Sequence, residues 1–167
     1  ATDVETIKLC VDTGIDINFD DGLPLRFACR LGDLNIVKYI VENGGDIDRK
    51  DGMALQWASE YGRPEVVDYL LNVRKARVGL KRSIDYLIRR SKGSFDEYLR
   101  DQEEYKKSSG SKKEVYREKI DKFEKESRVG TMACLKLLLN AAKEDKKIYD
   151  EALSVIGTSN FKQFFEL

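Results

Sequence analysis

Residues 21–48 read DGLPLRFACRLGDLNIVKYIVENGGDID, and a shift of thirty positions in either direction meets the same pattern. Ile7-Lys8-Leu9-Cys10-Val11 becomes Val37-Lys38-Tyr39-Ile40-Val41, then Val67-Asp68-Tyr69-Leu70-Leu71. Leu25-Arg26-Phe27-Ala28 becomes Leu55-Gln56-Trp57-Ala58, and Gly32 becomes Gly62, without a gap. A fixed period of this length marks a stack of supersecondary units rather than a single globular core.

Each unit predicts a pair of helices. The first carries PLRFACRL and then MALQWASEY, with apolar residues at i, i+3, i+4 such as Leu25, Ala28 and Cys29. Gly32 and Gly62 close it, as glycine does at a left-handed C-terminal position. The second helix starts near Asp33, a good N-cap, or at Pro64, a good first-turn residue. It ends at Asn43-Gly44, and GGDIDRKDG returns as an extended loop. Phe27 and Trp57 take corresponding places on the first helices and read as inward, core-packing residues. Neither helix buries its apolar face alone, so the units must stack.

The unit 21–48 resembles the ankyrin repeat at Pro24-Leu25, Ala28, Gly32, Ile36-Val37, Gly44, Asp46 and Ile47. It departs from that pattern in its period of 30, in the short loop before Pro24, and in Arg26 or Gln56 where histidine is usual. The stretch ALQWASEYGRPEVVDYLL is most similar to the divergent 30-residue ankyrin repeats of giant DNA viruses of amoebae. The resemblance implies an all-α fold, an ankyrin-repeat solenoid of stacked helix pairs.

The period breaks after Leu71, where NVRKARVGLKR stands in place of the loop signature. The helical pattern nevertheless returns in register at Ile84, Leu87 and Ile88. GTMACLKLLLN at 130–140 then lies 68 positions beyond GRPEVVDYLLN, which leaves 38 extra residues. The extra residues, about 92–129, read as an inserted helical hairpin at the turn of the fourth unit; a disordered charged loop is the alternative. Ser94 with Glu97 and Ser111 with Glu114 make two capping boxes, one for each arm, with KKSSGS as the flexible turn between them. Phe95, Tyr98, Leu99 and Tyr105 give one arm its apolar face, and Tyr116, Ile120 and Phe123 give the other its own. The expected organisation is a single array: a partial unit 1–20, full units 21–50 and 51–80, an interrupted unit 81–148, and a degenerate unit 149–167. In that last unit Asn160 takes the glycine place and Phe161, Phe164 and Phe165 make the second helix aromatic. Either those rings pack inward or the array continues. The N-terminus enters in mid-repeat and reads as cut.

Composition narrows the function. The chain has 167 residues, net charge 0 and no histidine, so Ser-His-Asp and Cys-His schemes are excluded within it. No phosphate-loop, dinucleotide or zinc-protease motif occurs, and neither an enzyme nor a cofactor is expected. No run approaches the roughly 18–20 apolar residues that cross a bilayer, and the opening ATDVETIKLC, with no basic region followed by an apolar core, does not read as a signal peptide. Cys10, Cys29 and Cys134 are odd in number and lie in apolar runs, which suits buried thiols in an intracellular, cytoplasmic setting. Charge is unevenly spread: residues 1–73 carry 7 basic and 14 acidic side chains, whereas 74–91 carry 7 basic and 1 acidic.

The resemblance implies a non-enzymatic scaffold that binds another protein through a concave face and loop tips, or through the hairpin. Carried onto this chain, those positions are Phe19, Asp20, Arg49 and Lys50 at loop tips, and Arg30, Leu31, Glu60 and Tyr61 at first-helix ends. The likeness to viral repeats makes a host protein in the host cytoplasm the implied partner. Tyr98, Tyr105 and Tyr116 are the candidate insert surface. The alternative is a nucleic-acid-binding module using the basic block Arg74, Lys75, Arg77, Lys81, Arg82, Arg89 and Arg90. No aromatic platform accompanies those cations, and they can equally neutralise the acidic repeats.

Overall fold

The computed structural model describes residues 5, 6, 9, 12–127 and 130–156. Helix α1 spans Phe19–Leu31, α2 Leu34–Glu42, α3 Arg49–Glu60 and α4 Pro64–Asp68. A π-helical turn, Tyr69–Val73, extends α4; then come α5 Leu80–Lys107, α6 Gly110–Ser127, α7 Gly130–Ala142 and α8 Lys146–Ile156. First helices stack in the order α1, α3, α5, α8, and second helices in the order α2, α4, α7. The described residues thus form an all-α solenoid of helix pairs around one continuous core. Cys10 and the aromatic run Phe161, Phe164 and Phe165 lie outside them.

Local chemistry explains each joint. Gly32 adopts φ 84° and returns its N–H to the Ala28 carbonyl, closing α1. One residue on, the Asp33 carboxylate accepts from the N–H groups of Asn35 and Ile36 at 3.0 and 3.1 Å and opens α2. Ile36, Val37, Ile40 and Val41 then fall on one face of α2 and are buried. Each contributes on the order of 1.5–3 kcal/mol by leaving water. Between units the backbone makes a left-handed turn, Asp20-Asp21-Gly22 before the body of α1 and Lys50-Asp51-Gly52 before that of α3. Asn18 ties neighbouring turns together: its amide donates to the Gly44 carbonyl at 2.9 Å and accepts from the Asp46 N–H at 2.9 Å.

The altered stretch after Leu71 has a definite geometry. Arg74 donates its N–H to Tyr69 and Ala76 to Leu70, at 3.1 and 2.8 Å, so the chain leaves α4 by wide turns instead of the usual glycine cap. Gly79, at φ 79°, then leads directly into α5.

The structure corrects the reading of the insertion. Helix α5 runs 28 residues without interruption from the scaffold into the first arm of the hairpin. Ser94 lies inside it and caps nothing, because the N–H groups around it are already held by the helix ladder. A buried stripe explains the continuity: Ile84, the adjacent Leu87 and Ile88, Ser91, Phe95 and Tyr98 follow one face of the helix and all are buried. That burial outweighs the roughly 1 kcal/mol cost of Gly93 in a helix interior. The second arm, α6, starts at Gly110, one residue ahead of the Ser111 cap, so the turn is only Ser108-Ser109. Tyr98 stacks on Phe123 at 4.5 Å, and its hydroxyl donates to Glu124 at 2.9 Å and accepts from Gln102 at 2.7 Å. Lys119 of α6 meets Asp101 of α5 at 3.7 Å.

Cys29 and Cys134 are free and fully buried. Burial raises both thiol pKa values, that of Cys134 to about 12 from an ordinary 9.0. The folded chain therefore holds protons that the unfolded chain releases, so this contribution to stability is complete below about pH 9 and is lost between there and the folded value. Denaturation midpoints are expected to fall steadily above pH 9, and Cys134→Ala to flatten the fall. A midpoint flat to pH 11 would contradict this.

Candidate protein-binding surface

Because the first helices stack thirty residues apart, equivalent positions form rows across the array. The inward places are taken by Leu25, Ala28 and Cys29 in α1, and by Leu55, Ala58 and Ser59 in α3. Phe27 and Trp57 fall between them and face outward, Phe27 being 43% exposed and Trp57 half-buried, which reverses their reading as core residues. They meet edge to face at 5.7 Å and 82°. The Arg30 guanidinium sits 5.8 Å from the Phe27 ring and 4.9 Å from that of Tyr61. Leu31 and Tyr61 stand beside it, 58% and 44% exposed. The network continues into the next unit, where Tyr86 donates to Glu60 at 2.8 Å and accepts from Arg90 at 3.2 Å.

Arg26 was not singled out as a site residue, although it stands where the resemblance places a histidine. It is only 5% exposed, donates to the Asp20 carbonyl at 2.7 Å, approaches the Met53 sulfur at 3.5 Å and lies 5.4 Å from the Trp57 ring centre. It fastens the first left-handed turn to the next unit. Its Nε has no hydrogen-bond partner among the described residues.

Beside this row a groove of about 1120 Å³ lies along α5, walled by α3 and closed by Ile148 of α8. Five of the seven cations of the basic block line it, while Arg74 and Lys75 stand outside. Three of the five are committed to carboxylates. Arg77 pairs with Glu144 at 2.6 Å, Lys81 with Asp85 at 2.9 Å and Glu151 at 3.1 Å, and Arg82 with Asp51 at 3.5 Å. The hydrogen bond from Arg77 holds the Glu144 carboxyl below its ordinary range, and those to Asp85 and Glu151 raise Lys81. Among the described residues no cluster of His, Cys, Asp or Glu is arranged to hold a metal, and no helix is long and apolar enough to cross a membrane.

The family model for ankyrin repeats (3 copies) matches residues 1–82. Residues 1–82 are ankyrin repeats. No curated protein and no solved structure matches the chain. Ankyrin repeats generally mediate protein–protein interaction and are typically non-enzymatic.

On the ankyrin array the expected site residues separate into groups. Arg30, Leu31 and Tyr61 come together on the open side of the first helices. Glu60 is drawn in by Tyr86 and is half-buried. Phe19, Asp20, Arg49 and Lys50 are exposed at the turns, with Asp20 and Lys50 held at positive φ. The hairpin tyrosines do not form an open surface. Tyr98 is 7% exposed, and Tyr105 and Tyr116 are half-buried, each with a lysine nearby at 4.7 and 5.6 Å.

Proposed function

We propose that the chain is a protein-binding scaffold whose partner lies across the open side of the first helices. The observation that carries this is the row Phe27, Arg30, Leu31, Trp57 and Tyr61. Aromatic and arginine side chains, the types that dominate interface energetics, stand side by side on the open face, Trp57 half-buried and the others exposed, and the rings and Arg30 brace one another. Contiguous exposed apolar surface of this kind marks an interaction site. Because the rings are held by ring and cation contacts before binding, little side-chain entropy is lost on association. The unpaired buried thiols suit a reducing, intracellular setting, and the likeness to viral repeats makes a host protein the partner to try first.

The test is a quantitative pull-down with nuclease present, comparing the chain with a Leu31→Asp, Tyr61→Asp double variant. Recovery of the partner is expected to fall by about tenfold or more, since hot-spot side chains each contribute about 2 kcal/mol or more. Equal recovery by a variant with an unchanged circular dichroism spectrum would place binding elsewhere.

A further inference from the structure

We infer that the groove along α5 receives an extended acidic segment of the partner protein, its carboxylates on Arg89 and Arg90 and its backbone N–H groups on Gln56. This rests on the scaffold reading above and names the partner's chemistry.

Charge gives the first argument. The groove carries five cations against two lining carboxylates, Asp51 and Asp85. Arg77 and Lys81 are neutralised within the chain, and the Arg82–Asp51 pair is long and open to solvent. Among the described residues Arg89 and Arg90 have no carboxylate partner, and both are exposed on α5. Arg90 spends one N–H on the Tyr86 hydroxyl, which leaves the rest of its guanidinium and that of Arg89 to bind carboxylates in directional contacts.

The groove's wall gives the second. Gln56 lines the groove, and its amide oxygen is buried with no hydrogen-bond donor among the described residues, so a turn of the side chain is what would bring it to a ligand. An unpaired buried acceptor costs about 1–3 kcal/mol, recovered when a ligand donates to it. A peptide backbone offers N–H donors along its length, whereas a DNA sugar–phosphate backbone offers none and RNA only its 2′-hydroxyls. Leu80, Tyr86 and Ile148 add apolar contact for intervening side chains.

Position gives the third. Arg90 lines this groove, the cleft beside Tyr61 and Thr131, and the cleft at the hairpin base beside Tyr98 and Phe123. A segment leaving the groove past Arg90 is delivered directly to the Tyr61 end of the aromatic row.

The experiment pans a library of short random peptides on the whole chain and measures the enriched peptides by fluorescence anisotropy at physiological salt. Enriched sequences are expected to carry an excess of Asp and Glu. Arg89→Glu with Arg90→Glu should weaken them by about tenfold or more, and Gln56→Met by a smaller factor, with unchanged circular dichroism. Peptides without acidic excess, indifference to the reversal, or no enrichment would overturn the inference. Peptides lost with the Leu31, Tyr61 variant but not with the arginine reversal would leave the scaffold reading standing and remove the groove from it. A single-stranded oligonucleotide that binds at the same salt and is lost with the arginine reversal would assign the groove to nucleic acid instead.

Discussion

Gly52→Ala is expected to destabilise the chain by about 3 kcal/mol or more, with the melting midpoint falling by roughly 10 °C. Two costs add. At φ 72° an L-residue sits in the left-handed region, which costs roughly 1–2 kcal/mol. The larger cost is steric, because a Cβ there would stand 2.1 Å from the Val78 carbonyl oxygen and 2.5 Å from its carbon. Those atoms are backbone, in the segment that feeds α5, and cannot swing aside as a side chain would. Gly44 provides the control, since it has φ 95° but nothing within 4 Å of the added carbon. Gly44→Ala should lose only the conformational part. Thermal denaturation of both variants separates the terms, and equal losses would show that the contact between turns contributes nothing.

The second prediction concerns the hairpin. Removing residues 92–129 and joining Ser91 to Gly130 is expected to leave a chain that still unfolds cooperatively, while its helical signal falls by the share of both arms. The junction already has a counterpart one unit earlier, where Tyr61 precedes Gly62. Gly62 and Gly130 have φ of 66° and 68°. They also pack backbone to backbone, a Cβ on Gly62 standing 2.8 Å from the Gly130 Cα. The shortened chain has a turn of the same kind, stacked on the same neighbour. It loses the burial of Phe95 and Tyr98, which are 2% and 7% exposed, so a lower midpoint is part of the expectation. A shortened chain without a cooperative transition would mean that the hairpin holds the fourth unit in place.

The solenoid was legible because its signals are local and repeated. Gly32, Asp33 and Pro64 act within a single turn of backbone, and a period of thirty survives any one degenerate position. What was missed depends on angles or on distant parts of the chain. Ser94 satisfied a capping pattern, but the stripe from Ile84 to Tyr98 passes straight through it, and a continuous buried face outweighs a cap. Phe27 and Trp57 are large and apolar, which favours an inward reading, yet the inward face is already filled by Leu25, Ala28 and Cys29 and by Leu55, Ala58 and Ser59, and the two rings lie off that face. The basic block looked like one patch on a line of sequence. In three dimensions it divides, because the partners of Arg77 and Lys81, Glu144 and Glu151, arrive from beyond the insertion.

The unbroken path of α5 also gives the molecule a lever. At about 1.5 Å per residue the helix is roughly 42 Å long, and a little over half of it lies beyond the stack. Its inner end lines the cationic groove and its outer end carries the hairpin, with no loop between them to absorb a movement. A tilt of about 10° at the groove would displace Lys107 by roughly 4 Å, a geometric gain set by the rise of the helix. A movement of α5 at Arg89 and Arg90 would therefore be carried along the helix to the hairpin.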